Sequence, residues 1–205
     1  MANLDASFGL RPYKMLGEGS NNSSLMTFKI QLTGTAGTSS VIYEGTPVIP
    51  LANGLVDIVG AAAGGTVPLL GAFMGCNYTD TNGTPVWANK WPGTSSVKSS
   101  TEATCVIAAN PEQLFLINCD GAAADSTIHA NANFATATSG DSTTGKSSAE
   151  LDISTAATTN TLNMRIMGYE NTPSSNDATA AGRLAIVMLT NHFYRYSANG
   201  TIAGI

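Results

Sequence analysis

The sequence predicts an all-β fold: a compact β-barrel or sandwich of short antiparallel strands, with at most one short helix, long polar loops and an extended N-terminal arm. One stretch near residue 30 alternates strictly between apolar and polar residues, which is the period of a half-buried strand. Two Asn-Gly pairs lie between β-prone runs, where such a pair favours a hairpin turn. Short apolar runs separated by Gly, Asn and Pro continue along the chain, and this spacing is typical of all-β barrels and sandwiches.

Residues 1–23 are predicted to form the extended arm, which precedes a single β-rich domain spanning residues 24–205. Pro12 and the polar, glycine-containing stretch at 17–24 do not favour a packed element. Phe8, Leu10 and Tyr13 nevertheless supply apolar side chains. An arm with apolar side chains but no periodicity is typical of a segment that becomes ordered on a partner.

The domain is predicted to begin with a strand in which Met26, Phe28, Ile30 and Leu32 share one face and the intervening polar residues share the other. Two hairpins follow, one turning at Asn53-Gly54 and one at Asp80-Thr81-Asn82-Gly83, because an Asn-Gly pair accepts positive φ at both turn positions.

The rest of the domain is predicted to contain five more strands, one weak helix and two polar loops. The strands are expected at 103–108, 113–119, 151–153, 162–169 and 184–190. Residues 122–130 indicate a helix of one or two turns with Asp125 as its cap. The stretches 135–148 and 171–181 are long loops, and loops of this length tend to be mobile or functional.

Composition and charge exclude several classes of partner. Charged residues make up 11% of the 205 residues, against about 25% in an ordinary soluble domain, and this surface suits packing on other protein. The nine basic residues are scattered and the net charge is −5, which argues against nucleic acid. No secretory signal follows Met1, and no run approaches the ~18 apolar residues of a membrane span.

The cysteines and histidines do not form a ligand pattern. The three cysteines, Cys76, Cys105 and Cys119, are widely spaced within apolar stretches, where a reduced thiol behaves as a small hydrophobe. Buried free thiols are therefore expected, with a disulfide or a metal site as the alternative. His129 and His192 are isolated, without a second ligand nearby in the sequence.

Residues 140–147 read G-D-S-T-T-G-K-S, which matches the phosphate-binding loop pattern G-x-x-x-x-G-K-[ST]. A working loop needs a buried strand before it and a helix after it, since the helix N-terminus holds the phosphate. The preceding F-A-T-A-T-S lacks a Val, Ile or Leu run, and the following S-A-E-L-D-I-S-T alternates like a strand. We therefore interpret the match as accidental, and keep a nucleotide-binding enzyme as an alternative of a different class.

The remaining candidates for catalysis or metal binding also have simpler interpretations. Glu150 and Asp152 are expected to share the solvent face of a strand, and nothing nearby would raise one pKa for acid catalysis. The stretch that begins at Asp80 lacks the spacing of a calcium loop, and we therefore interpret it as a hairpin turn. No catalytic, cofactor-binding or metal-binding residue is predicted.

Aromatic residues suggest surfaces for association. Trp87 and Trp91 lie shortly before a Pro-Gly turn, and Phe193, Tyr194 and Tyr196 cluster near the C-terminus. Aromatic side chains favour interfaces because they cover large areas at low entropy cost. We expect a subunit interface at Phe193, Tyr194 and Tyr196, with packing at the rim of the core as the alternative.

Several segments resemble small structural proteins encoded in the head-gene region of tailed bacteriophages. The opening A-S-F-G-L-R-P-Y is similar to a segment that precedes a β domain in that family. The likeness continues in patches through E-G-T-P-V-I-P-L-A-N-G-L-V-D-I-V, V-P-L-L-G-A-F-M-G-C-N-Y-T-D, T-G-K-S-S-A-E-L-D and the closing N-H-F-Y. The resemblance implies a non-catalytic virion component without a cofactor, of the capsid decoration (cement) type.

A decoration protein would be made in the host bacterial cytoplasm and would bind the phage major capsid protein on the capsid surface. Related decoration proteins also suggest self-association, as a trimer. We expect the arm to add a strand to a sheet of the capsid through Phe8, Leu10, Arg11, Pro12 and Tyr13. A tail tube or tail adaptor subunit is the second structural alternative.

Overall fold

The computed structural model describes residues 3–17, 25–34, 38, 40–59 and 67–195. Within them the chain forms fourteen strands and two 3₁₀ turns of three residues each, and this confirms the predicted all-β fold. In chain order the strands are β1 (Arg11–Met15), β2 (Leu25–Gln31), β3 (Ile42–Tyr43), β4 (Pro47–Pro50), β5 (Val56–Ile58), β6 (Gly71–Thr79), β7 (Pro85–Ala88), β8 (Lys90–Trp91), β9 (Ala103–Ala108), β10 (Gln113–Asn118), β11 (Asn131–Phe134), β12 (Leu151–Ala157), β13 (Met164–Tyr169) and β14 (Leu184–Leu189).

The strands form two main antiparallel sheets. The first has the order β1-β10-β14-β13-β11-β12, and the second has the order β2-β9-β6-β4-β5, with β7 beside β6. Strands β3 and β8 pair separately, with Ile42 opposite Trp91. The end strands of the second sheet meet at a bridge between Lys29 and Leu55, so that this sheet curls toward a barrel.

Two hydrophobic clusters lie on opposite faces of the second sheet. Ala72 and Ala108 join Ile117 and Val187 in the cluster between the two sheets. Phe73, the next residue along β6, belongs to the other cluster, because successive side chains of a strand point to opposite faces.

Trp91 covers the second cluster. Its side chain is fully buried, and its indole N–H donates to the carbonyl oxygen of Thr38 at 3.0 Å. The ring also meets Tyr78 edge to face, with 5.8 Å between centroids. Such an indole combines large apolar burial with a satisfied polar group.

Both predicted hairpins are present, but their turns differ from the expected type. Gly54 and Gly83 have φ of +79° and +87°, whereas neither preceding Asn has a positive φ. The N–H of Gly83 donates to the carbonyl of Asp80 at 3.0 Å, and Gly54 bonds Leu51 in the same way at 2.9 Å. Each loop is thus a type I turn followed by a left-handed glycine.

The predicted strands of the second half are found within a few residues of their expected bounds, apart from β12, which continues to Ala157. In the first half, the alternation expected through Leu32 fails at the end of β2. The pairing of β2 with β9 shifts between Lys29 and Gln31, so Ile30 and Gln31 are both buried. A bulge of this kind places an extra residue in one strand and redirects the next side chain.

The helix expected at 122–130 is a 3₁₀ turn, Asp125–Thr127. Ala124 precedes the turn without a side-chain cap, so the predicted capping role of Asp125 is wrong. The Asp125 carboxylate instead forms an ion pair with Arg183 at 2.7 Å.

Candidate functional site

The N-terminal residues 3–17 lie against the rest of the chain, in contrast to the expected separate arm. β1 pairs with β10 at the edge of the first sheet. The side chain of Asn3 donates to the carbonyls of Asp177, Ala180 and Ala181. This segment therefore contributes a strand to the sheet, and the boundary at residue 23 does not separate an arm from the domain.

A close crossing of two glycines positions this segment. Gly9 and Gly45 have φ of +74° and +85°, and the N–H of Leu10 donates to the carbonyl of Gly45 at 2.8 Å. A β-carbon on Gly9 would lie 2.5 Å from that oxygen and 2.7 Å from the β-carbon of Ser147. Only glycine fits at Gly9, because both the positive φ and the space exclude a side chain.

The five residues predicted to bind a capsid have different environments. Leu10 is 1% exposed and belongs to the core, so its predicted contact with a partner is wrong. Arg11 is exposed, and its guanidinium lies 4.7 Å from the ring centroid of half-buried Phe8. Pro12 and Tyr13 are half-buried, and Glu170 raises the pKa of Tyr13 through a hydrogen bond and through its charge.

The outer edge of β1 is poorly suited to adding a strand from another protein. Pro12 has no N–H to donate, and the pairing with β10 shifts between Pro12 and Lys14. Arg11 and Lys14 add positive charge to this short edge strand. Proline, bulges and charged side chains are the usual means by which an edge strand avoids pairing with other chains.

A surface pocket of about 110 Å³ lies beside the glycine crossing. Its lining combines apolar side chains with two cations and one carboxylate: Phe8, Leu10, Arg11, Glu44, Gly45, Met74 and Lys146. The exposed cations are Arg11 and Lys146. The pocket therefore presents positive charge next to an aromatic ring.

The loop at 140–147 forms a closed turn. Gly140 and Ser147 pair across it, and the N–H of Gly145 donates to the carbonyl of Asp141 at 2.8 Å. The Asp141 carboxylate accepts the N–H of Thr143 at 2.8 Å, and this bond is the main cause that lowers the pKa of Asp141. A carboxylate of the loop itself thus takes an N–H group that a phosphate loop would offer to its ligand.

Two further features separate this loop from a phosphate loop. Lys90 and Asn89 donate to the carbonyls of Ser142 and Thr144 at 2.7 and 2.9 Å, which ties the loop to β8 and to the residue just before it. The chain then enters β12 at Leu151, so the strand expected after the loop is confirmed and no helix follows it. Glu150 lies just before that strand and not within it, and burial raises its pKa, so the expectation that nothing nearby would raise a pKa at this position is wrong.

The C-terminal aromatic residues are divided between core and surface. Phe193 packs against the second hydrophobic cluster, whereas Tyr194 is 43% exposed. The two rings meet edge to face with 5.4 Å between centroids. Tyr196, the third predicted interface residue, lies outside the described residues, and the interface at Phe193 and Tyr194 remains a prediction.

The three cysteines are free and buried, as predicted. Burial raises the pKa of each thiol to about 12. Over the described ranges no group of three or more His, Cys, Asp or Glu side chains is placed to hold a metal ion. Neither of the two helical turns in that part of the chain is long enough to cross a membrane.

The geometry thus defines an all-β protein with a positively charged pocket where its N-terminal segment crosses the second sheet. Comparison with protein-family models, with curated proteins and with solved structures found no match.

Proposed function

We propose that this protein is a non-catalytic decoration protein of a tailed bacteriophage, which binds the assembled capsid and stabilises contacts between capsomers. The main support is the convergence of the segments that resemble phage head proteins. Phe8 and Arg11 come from the first segment, Glu44 from the second, Met74 from the third and Lys146 from the fourth, and all of them line the same pocket. The segments that carry the resemblance therefore build one surface feature.

Arg11 and Lys146 are the groups that we assign to the capsid contact, together with Phe8. Both cations are exposed, and no ion pair links either to a carboxylate within the described residues. Arginine beside an aromatic ring is enriched at protein interfaces. The contact is made by side chains around the pocket, because β1 already serves as a strand of its own sheet.

Binding of this kind stabilises a shell by mass action. A ligand that binds only the assembled state shifts the assembly equilibrium toward that state, and many identical copies add their effects. The low charge content of the chain suits such close packing on other protein. A tail tube or tail adaptor subunit remains the structural alternative, and a nucleotide-binding enzyme is disfavoured by the closed turn around Asp141.

Charge reversal at the pocket tests the proposal. The variant Arg11→Glu/Lys146→Glu should lose at least about tenfold in affinity for capsids assembled without this protein, because two interface cations become carboxylates. Co-sedimentation over a range of protein concentrations measures the affinity. The control Lys98→Glu/Arg165→Glu has the same net charge, since each reversal lowers the charge by 2 and both double variants therefore go from −5 to −9.

The outcomes separate the alternatives. Retained binding by the control and loss by the pocket variant support the proposal. Absence of wild-type binding, or equal binding by both variants, would contradict it. Images of the purified virion should show the protein repeated over the shell, and density along the tail would favour the tail alternative.

A further inference from the structure

A second surface site lies on the outer face of the curled sheet, and it shares no lining residue with the Arg11–Lys146 pocket. Asn77 on β6 pairs with Thr104 on β9 and with Trp87 on β7. Side chains of directly paired residues share a face, so these three residues form a row across three strands. The row borders an open groove of about 280 Å³.

Trp87 forms the aromatic wall of this groove. Its side chain is 58% exposed, whereas Trp91 is fully buried four residues later. A β-carbon on Gly75 would lie 2.9 Å from Cζ2 and 3.0 Å from Cη2 of Trp87. The six-membered ring of the indole therefore packs on the bare backbone of Gly75, which supports the side chain while more than half of it stays exposed to solvent.

Polar side chains surround the aromatic ring. The groove is lined by Asn77, Thr79 and Thr104, and by the carboxylate of Glu102. Glu102 also accepts a hydrogen bond from Lys29 at 2.7 Å, in an exposed ion pair that solvent weakens. The site thus offers an amide, two hydroxyls and a carboxylate beside one exposed ring.

We infer that this groove binds a neutral carbohydrate, with a sugar ring stacked on Trp87. The C–H groups on one face of a pyranose match the negative face of an aromatic ring, and the hydroxyls at its edge need both donors and acceptors. Asn77, Thr104 and Glu102 provide that set. The net charge of −5 and the Glu102 carboxylate disfavour an acidic sugar.

The size of the groove favours a sugar over a protein partner. Ligand pockets begin at about 300 Å³, and this groove lies near that limit. Protein partners use apolar patches of several hundred Å². Here the apolar part is largely one ring and Pro85, bordered by polar residues.

The test begins by screening the isolated protein against an array of neutral oligosaccharides. Each glycan that binds is then titrated by calorimetry. Cellotriose, maltotriose and chitotriose are titrated whether or not they bind on the array. Wild-type protein should bind at least one of these glycans. Trp87→Ala should weaken that binding by about tenfold or more, because the stacking surface is lost. Binding should also perturb the fluorescence of Trp87, the more exposed of the two tryptophans.

Two further variants keep the test independent of folding. Asn77→Ala should weaken binding severalfold while the melting temperature stays unchanged, since the Asn77 side chain is exposed. Tyr194→Ala, which removes an exposed aromatic ring elsewhere, should bind as wild type does. Absence of binding to every glycan tested, or undiminished binding by Trp87→Ala and Asn77→Ala, would overturn the inference. Capsid binding by the same variants is expected to be unchanged, so this inference can fail while the decoration role stands.

Discussion

His192 shows how burial changes the chemistry of a single residue. The side chain is 3% exposed, and its Nδ1 accepts the N–H of Tyr194 at 3.1 Å. Burial, together with the smaller effect of the positive charge of Arg195, lowers the pKa of His192 to about 4. The histidine therefore acts as a neutral acceptor that orders the start of the aromatic cluster.

This lowered pKa predicts a loss of stability in acid. The unfolded histidine has a pKa near 6.5, so the unfolded state binds more protons between that pH and about pH 4. The contribution of His192 is fully present above pH 6.5 and is lost as the pH falls toward 4, by on the order of 3 kcal/mol. Urea unfolding at a series of pH values should show this slope in the wild type.

The variant His192→Gln should have a smaller pH dependence over the same interval, because Gln does not titrate. His129→Gln, which changes an exposed histidine, is the matched control and should keep the slope. An identical pH dependence in His192→Gln and wild type would show that His192 is not the titrating group.

At the scale of elements, the N-terminal segment is part of the fold. β1 extends the first sheet, and the crossing of Gly9 and Gly45 directs Leu10 into the cluster between the sheets. A truncation of residues 1–15, which a separate arm would tolerate, removes a strand and a core side chain here. The function of the segment therefore has to be tested with surface substitutions.

Leu10→Ala measures how much this element contributes. The change should lower the free energy of unfolding by about 2–5 kcal/mol, as expected for a fully buried leucine. Leu4→Ala is the control, because Leu4 is 69% exposed and should change stability by less than about 0.5 kcal/mol. Equal stability of the two variants in urea unfolding would mean that the segment does not hold its place in the sheet.

For the whole molecule, the two hydrophobic clusters share a sheet. β6 contributes Ala72 to one cluster and Phe73 to the other, and β9 divides Ala108 and Ile107 in the same way. Because both clusters depend on the same pair of strands, loss of one should disrupt the other. We therefore expect the two sheets to unfold together.

The cysteines report on this cooperativity. Cys76 and Cys105 lie in the second cluster and Cys119 in the first, and all three should resist alkylation in the native state. In increasing urea the three thiols should become reactive at one midpoint, as followed by mass spectrometry of iodoacetamide-treated protein. A Ser95→Cys variant provides an exposed thiol that reacts without urea. If Cys119 became reactive at a different urea concentration from Cys76 and Cys105, the two clusters would unfold independently.

The sequence predicted the parts of the candidate sites unevenly. Phe8 and Arg11 were predicted from a short segment, but their meeting with Lys146 depends on a crossing between residues far apart in the chain. By sequence Trp87 and Trp91 are equivalent, because both lie shortly before the same Pro-Gly turn. In the structure Trp87 pairs with Asn77 and is exposed, whereas Trp91 pairs with Ile42 and is buried.

The all-β class, the two glycine turns and most strands of the second half were determined by the sequence itself, because alternation and turn residues act between near neighbours. Tertiary structure alone decided the strand at Arg11–Met15, the bulge at Gln31 and the place where the 140–147 loop attaches to the rest of the chain. Each of these depends on a partner distant in sequence, such as Phe115 opposite Pro12 or Glu44 beside Lys146. A local pattern contains no information about such partners, since chain folding alone brings them within hydrogen-bonding distance.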